Sequence, residues 1–241
     1  MQSNFYVGMS GQMAIDRRLQ SVANNIANMN TPGFRADGVT FSTILSNTND
    51  APVAFSSQGT DYISRRTGEL TKTDNPLDVA VQGDGYMAIK TPGGIVYTRD
   101  GRMKMDPSGQ LMTLNNYPVL DAGGTGLLLD PNGGTPAISS DGMITQGANQ
   151  VGAIGLFSID PSASLTRATN SGVIPDKAAT PVLDFTASGL QQGFVEGSNV
   201  NPVLELAKLI TIQHALDGLA QTNTTADTSM NDAIKTLGGS S

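Results

Sequence analysis

The sequence predicts an α+β protein. Long N- and C-terminal helices pair as a coiled-coil-like domain, with a central all-β domain, sandwich- or barrel-like, inserted between them. Three observations predict it. Helical periodicity is confined to residues 1–30 and 201–237. The stretch between is rich in Gly, Asp and short alternating runs. Turn signals recur there about every 8–12 residues, the spacing of a sandwich or barrel.

In the first helix, apolar residues step by 3 and 4 through Met1, Phe5, Ile15, Leu19, Val22, Ile26 and Met29, interrupted only at Gly8 and Gln12. That period of about 3.5 suits a coiled-coil seam better than a broad core-facing stripe. Asn24, Asn25, Asn28 and Asn30 are mediocre helix formers, because their amides compete for the backbone. Thr31-Pro32-Gly33 follows, and Pro32 disfavours helix at Thr31, so the helix is expected to end at about Asn30.

The last helix repeats the stepping through Leu206, Leu209, Ile212, Leu216, Leu219, Asn223, Ala226, Met230, Ala233 and Leu237. Asn201 is its expected N-cap, Pro202 its first helical residue, and Glu205 suits the dipole of the first turn. Gly238-Gly239 ends it. At 1.5 Å per residue such a helix is roughly 55 Å long, more than a compact domain usually holds.

Residues 35–74 read as an extended connector arm, rich in Thr and Ser, with Phe41, Ile44 and Leu45 as anchors to the first helix. A polar segment of this length is unusual inside a compact domain and suits an arm running along neighbouring subunits. The β domain spans 75–187. Its expected strands are Leu77–Gln82, Tyr86–Lys90, Ile95–Arg99, Arg102–Asp106, Gln110–Leu114, Pro118–Asp121, Leu127–Asp130, Pro136–Ser139, Met143–Gln146, Val151–Ile159 and Val182–Phe185. Asp100-Gly101 reads as a two-residue hairpin turn. Residues 188–199 form a return linker, 1–34 with 200–237 a discontinuous helical assembly domain, and 238–241 a flexible tail.

No reactive constellation stands out. Asp100, Asp106, Asp121, Asp130 and Asp141 sit beside or near Gly or Pro and read as turn chemistry. No calcium loop, phosphate loop or marked carboxylate pair is present, and His214 is the only histidine. No catalytic residue, metal or cofactor is expected. The net charge of −7 argues against nucleic acid or an anionic membrane as partner, and the absence of Cys excludes thiolate chemistry. No secretory signal and no apolar run long enough to span a bilayer is seen.

Four segments carry a resemblance. Ser21-Val22-Ala23-Asn24-Asn25-Ile26-Ala27-Asn28-Met29-Asn30-Thr31-Pro32-Gly33-Phe34-Arg35 resembles the N-terminal signature of the bacterial flagellar rod and hook proteins. Glu196-Gly197-Ser198-Asn199-Val200-Asn201-Pro202-Val203-Leu204-Glu205-Leu206 is similar to the C-terminal segment of that family. Leu77–Tyr86 and Tyr97-Thr98-Arg99-Asp100-Gly101-Arg102 resemble its central β region. The resemblance spans the chain in order, and within the family a proximal rod member fits best.

The resemblance implies a structural subunit of the periplasmic rod that transmits torque. Its implied partners are copies of itself, other rod proteins and the flagellar type III export apparatus, through which members leave without cleavage. The seam of Phe5, Ile15, Leu19, Val22, Ile26, Met29, Leu206, Leu209, Ile212, Leu216, Leu219 and Met230 is expected to carry assembly. Asn24, Asn25, Asn28 and Asn30 are expected to set register and bond across subunits, since buried amides need partners. Thr31, Pro32, Gly33, Phe34, Asn199, Asn201 and Pro202 complete the family motif. The alternatives are another axial member, such as the distal rod protein, and a secreted β-rich carbohydrate-active enzyme or binding module.

Overall fold

The computed structural model describes residues 2–46, 53–57 and 59–239, without the side chains of 2–6, 45–46, 53–55, 223, 226 and 227. The expectations at Met1, at the Phe5, Leu45, Asn223 and Ala226 side chains and at residues 240–241 therefore lie outside the described residues. The chain divides into two compact units. One holds residues 1–26, 37–62 and 201–241; the other holds 27–36 and 63–200.

The first unit is built on α1 (Gln2–Ala27) and α2 (Pro202–Leu237), which pack together. Between them in sequence lie β1 (Asp37–Thr40), β2 (Thr43–Ser46), β3 (Val53–Ser56) and β4 (Thr60–Ile63). Strands β1 and β4 pair, and β2 pairs antiparallel with β3. Much of the stretch read as an extended connector is thus in two small strand pairs.

Helix α1 stops at Ala27, earlier than Asn30. The reason is local. The Thr31 N–H donates to the Asn28 carbonyl at 3.0 Å and the Thr31 hydroxyl to the Asn28 side chain at 3.2 Å, turning the chain. Helix α2 starts as its sequence predicts. Asn201 is extended, and its side chain accepts from the Leu204 N–H at 3.1 Å, with Pro202 in the first turn. It ends at Gly238, whose N–H bonds the Ile234 carbonyl. The polar Thr222–Thr228 run is helical, and Thr222, Thr224, Thr225 and Thr228 each donate their hydroxyl to the carbonyl four residues back.

The second unit is a set of antiparallel sheets. Its strands are β5 (Leu70–Lys72), β6 (Val79–Gln82), β7 (Gly85–Thr91), β8 (Gly94–Thr98), β9 (Met103–Met105), β10 (Leu111–Thr113), β11 (Pro136–Ile138) and β12 (Met143–Gln146). There follow β13 (Asn149–Ala153), β14 (Leu156–Ser158), β15 (Leu165–Arg167), β16 (Val173–Pro175), β17 (Thr180–Pro181), β18 (Gly189–Gln192) and β19 (Phe194–Glu196). The largest sheet has the order β15-β16-β8-β7-β14-β17. A second runs β11-β12-β13, and β9–β10, β6–β18 and β5–β19 form pairs. The main core gathers Val79, Val81, Met87, Ile89, Leu111, Ile144, Ile154, Leu156 and Leu190 from these elements.

Five expectations for the β region need correction. Asp100-Gly101 is no hairpin turn, because β8 pairs with β7 and β16 whereas β9 pairs with β10. The chain changes sheets there. Gly101 is required for close approach instead, since a Cβ on it would stand 1.6 Å from the Val79 carbonyl oxygen. Pro118–Asp121 and Leu127–Asp130 make only isolated bridges, such as Ile89 with Val119 and Gln110 with Leu128. The run Val151–Ile159 breaks at Ile154-Gly155, where Gly155 lies against the backbone of Asp121. At 182–185 the paired residues are Thr180–Pro181, earlier in the chain.

Candidate assembly surface

The covered stripe of α1 contains the residues its periodicity selects. Val22 is buried, and Ile15, Leu19 and Ile26 are half-buried; Met29, also half-buried, lies beyond the helix in the turn that follows it. On α2 the covered positions are Glu205, Leu209, Ile212, Leu216 and Leu219, stepping by 4 and 3. Leu206 and Met230 are 51% and 50% exposed. Glu205 takes the covered place beside Leu209 because its carboxylate is bonded: Lys208 Nζ lies 2.6 Å from Oε1 and Asn25 Nδ2 donates to Oε2 at 3.4 Å.

The Asn-rich segment has partners inside the chain. Asn25 is buried and grips the backbone of Asp37 at both ends, accepting from its N–H at 2.8 Å and donating to its carbonyl at 2.9 Å. The Ser21 hydroxyl donates to the same carbonyl, and Asn24 Nδ2 to the Asp37 carboxylate. Asn28 closes the turn with Thr31, while Asn30 is exposed.

In the second unit three of the motif segments converge on one carboxylate. Glu196 Oε2 accepts from Arg99 Nε at 2.6 Å, and Oε1 lies 2.9 Å from Arg35 Nη2 and accepts from the Gly68 N–H at 2.8 Å. The Glu196 carbonyl accepts from the Gly33 N–H. Arg99 also donates to the carbonyls of Val81, Gly83 and Gly85, clipping the turn between β6 and β7. All three side chains are nearly inaccessible to solvent. Burial, and then the like charge of Arg99, lower the pKa of Arg35 against the pull of Glu196.

Gly33, with φ +68°, sits so close to Asp100 that a Cβ would stand 2.3 Å from its nitrogen. Phe34 is buried beneath the Arg167 guanidinium, 4.2 Å from the ring centroid. Asn199 accepts from the Ala36 N–H at 2.7 Å and donates to the Ser64 hydroxyl and the Arg66 carbonyl. Sequence reasoning placed Arg35, Arg99 and Glu196 in motifs but missed the ion-pair cluster. The available signal was a lone acid, Glu196, closing an apolar strand before glycine.

A second set of apolar side chains on the helices is uncovered. On α2 these are Val203, Leu204, Leu206 and Ile210 near the start, and Met230, Ile234 and Leu237 near the end. Every described side chain of α2 from Ala220 onward is exposed. On α1, Met9 and Met13 stand on the solvent stripe that continues through Asp16, Gln20, Ala23 and Ala27.

Reactive chemistry is not what these residues are arranged for. Asp100, Asp106, Asp121, Asp130 and Asp141 each accept from the backbone N–H two residues on. The pKa values of Asp106 and Asp160 are lowered first by the Ser108 and Ser162 hydroxyls and then by backbone N–H groups, and that of Asp184 first by the Thr186 N–H. His214 is exposed on α2. Among the described residues no group of His, Cys, Asp or Glu could hold a metal ion, and no helix is long and apolar enough to cross a membrane.

A helix pair with uncovered apolar flanks, in a chain whose β unit uses Asp100, Asp106, Asp121, Asp130 and Asp141 in turns and Glu196 in a buried ion-pair cluster, fits a structural subunit of an assembly. Comparison with known proteins agrees. Residues 5–35 match the model described as Flagella basal body rod protein, 80–146 the Flagellar hook protein FlgE/F/G D1 domain, and 191–236 the Flagellar basal body rod FlgEFG protein C-terminal. The chain is 47% identical to the flagellar basal-body rod protein FlgF of Mesorhizobium japonicum over 100% of both chains. It is 42% identical to FlgF of Rhizobium meliloti, again over 100% of both. To the rod protein FlgG of Bacillus subtilis it is 30% identical, over 97% of this chain and 98% of that one. The chain belongs to the FlgF family of flagellar basal-body rod proteins, as a structural subunit of the rod and not an enzyme.

Proposed function

We propose that this subunit joins the rod through the outer edges of its terminal helices. The observation that carries the reading is the uneven cover of α2. Its stepped stripe is covered from Glu205 to Leu219 and bare beyond, although the helix continues to Leu237. At 1.5 Å per residue the bare part is roughly 27 Å of helix. Helices of adjacent copies and of other rod proteins cover it, together with Leu206 and Ile210. One surface meeting a different one gives an open helical array rather than a closed ring.

In this reading residues 1–34 with 200–237 are the assembly domain and 75–187 the β body. In sequence, residues 35–74, which hold β1 to β5, lead outward, 188–199, which hold β18 and β19, lead back, and 238–241 are a tail. The seam of Ile15, Leu19, Val22 and Ile26 with Leu209, Ile212, Leu216 and Leu219 sets the spacing of the helix pair, and Met29 follows it in the turn after α1. Leu206 and Met230 face neighbours. Thr31, Pro32, Gly33, Phe34 and Asn199 hold the exits of the β body, and Asn201 and Pro202 start α2. The subunit leaves the cytoplasm uncleaved through the flagellar export apparatus, sits in the proximal, periplasmic part of the rod and passes torque along it.

The test is self-assembly of the purified full chain, followed by light scattering and electron microscopy, against Leu206→Asp with Ile210→Asp. The reading expects filaments from the wild type and none from the double variant at equal helix content. Filaments of equal yield from both overturn it.

A further inference from the structure

We propose that Met9, Met13 and Met230 are peroxide-reactive sites whose oxidation blocks assembly. The inference rests on the assembly reading above and adds a chemical control to that surface. Its basis is where the sulfur atoms lie. The sequence has 10 Met and no Cys, so thioethers are its only sulfur. Met87 and Met103 are buried; Met29, Met105, Met112 and Met143 are half-buried, the last with Gln150 Nε2 donating to its sulfur. Among the described methionine side chains only Met9 and Met13, each 48% exposed, and Met230, 50% exposed, stand open to solvent. All three are on the helices and none is in the β unit.

The positions of two of them are unusual in themselves. Met9 and Met13 are one turn apart and head a stripe otherwise made of Asp16, Gln20, Ala23 and Ala27. Two large thioethers on a solvent stripe suit an adaptable contact with a neighbour, since Met repacks easily. The same exposure makes them, among the described sulfurs, the first a peroxide meets. The thioether sulfur attacks one oxygen of hydrogen peroxide, the O–O bond breaks as an S–O bond forms, and the proton on the transferred oxygen passes to the departing hydroxide, which leaves as water. Sulfur is oxidised by two electrons and the peroxide is reduced. The product carries a strong S=O dipole, which is costly to bury against a neighbour without a donor. Methionine sulfoxide reductases reverse the step.

The experiment treats the full chain with dilute hydrogen peroxide, reads each methionine by peptide mass, and follows assembly. The variant Met9→Leu with Met13→Leu and Met230→Leu is treated in parallel, each protein scored against its own untreated sample. The proposal expects the three exposed sites to oxidise at least about tenfold faster than Met87 and Met103, following exposure. Wild-type assembly then falls about tenfold, reductase restores it, and the triple variant keeps its untreated level. Even oxidation of all methionines overturns the proposal. So does undiminished assembly of the oxidised wild type, or an equal loss in the triple variant. An untreated wild type that never assembles contradicts the assembly reading instead, and this inference falls with it.

Discussion

Arg99 and Glu196, 97 residues apart in sequence, meet at 2.6 Å with both side chains almost fully buried. Arg35 sits on the other oxygen of the same carboxylate. One negative charge thus holds two guanidinium groups out of water, in a unit assembled from both sides of the β region. Glu196→Gln leaves both cations without their counter-charge. Breaking a buried pair in this way costs about 3–5 kcal/mol. Urea unfolding of the full chain should show that loss; one smaller than about 1 kcal/mol would mean the cluster is not closed in solution.

Gly101→Ala should be among the most damaging small substitutions in the β unit. The new methyl carbon would stand 1.6 Å from a strand carbonyl, that of Val79, which cannot turn aside. Overpacking of this kind costs about 3 kcal/mol or more. Gly218→Ala on α2 meets nothing within 4 Å and should stabilise by up to about 1 kcal/mol through helix propensity. Thermal unfolding of the two variants should move in opposite directions.

Asn25→Ala removes both hydrogen bonds to the Asp37 backbone and the link to Glu205. Leaving such buried groups unsatisfied costs about 1–3 kcal/mol. Asn30→Ala, at an exposed position, should stay within about 0.5 kcal/mol. Equal midpoints for the two variants in urea would contradict the separate places given to these amides.

The pH dependence has a definite sign. Asp106, Asp160 and Asp184 have pKa values below the ordinary 3.8, because hydroxyl and backbone N–H groups bond the charged form. A carboxyl depressed by folding adds stability that is full above its unfolded pKa and lost as pH falls through the folded one. The loss therefore belongs below about pH 4. In Asp106→Asn with Asp160→Asn and Asp184→Asn, the melting temperature should fall less steeply below pH 4 than in the wild type. Parallel curves would rule the turns out as a source of acid sensitivity.

What the sequence made legible follows from how local each signal is. The cap at Asn201, the stop at Gly238 and the turns after Asp106 and Asp121 depend on neighbours within a few residues. The stepping of Val22, Ile212 and Leu216 survives because helical period alone decides which side is covered. Asp100-Gly101 misleads because its glycine answers to Val79 and its acid to Arg102, whose Nε and Nη2 bond both carboxylate oxygens. Within the chain it is Glu205, one position before the exposed Leu206, that is covered. Only the partners Asn25 and Lys208 explain why the charged residue is the covered one. The Arg35–Glu196–Arg99 cluster joins segments too distant for any spacing to announce.

The most direct test of the account is amide hydrogen exchange on α2, compared between monomer and assembled filament. The account predicts that residues 220–237 exchange quickly in the monomer and gain strong protection in the filament, while 205–219 are already protected in both. Unchanged exchange at 220–237 on assembly would contradict it, because the bare half of the helix would then have found no neighbour.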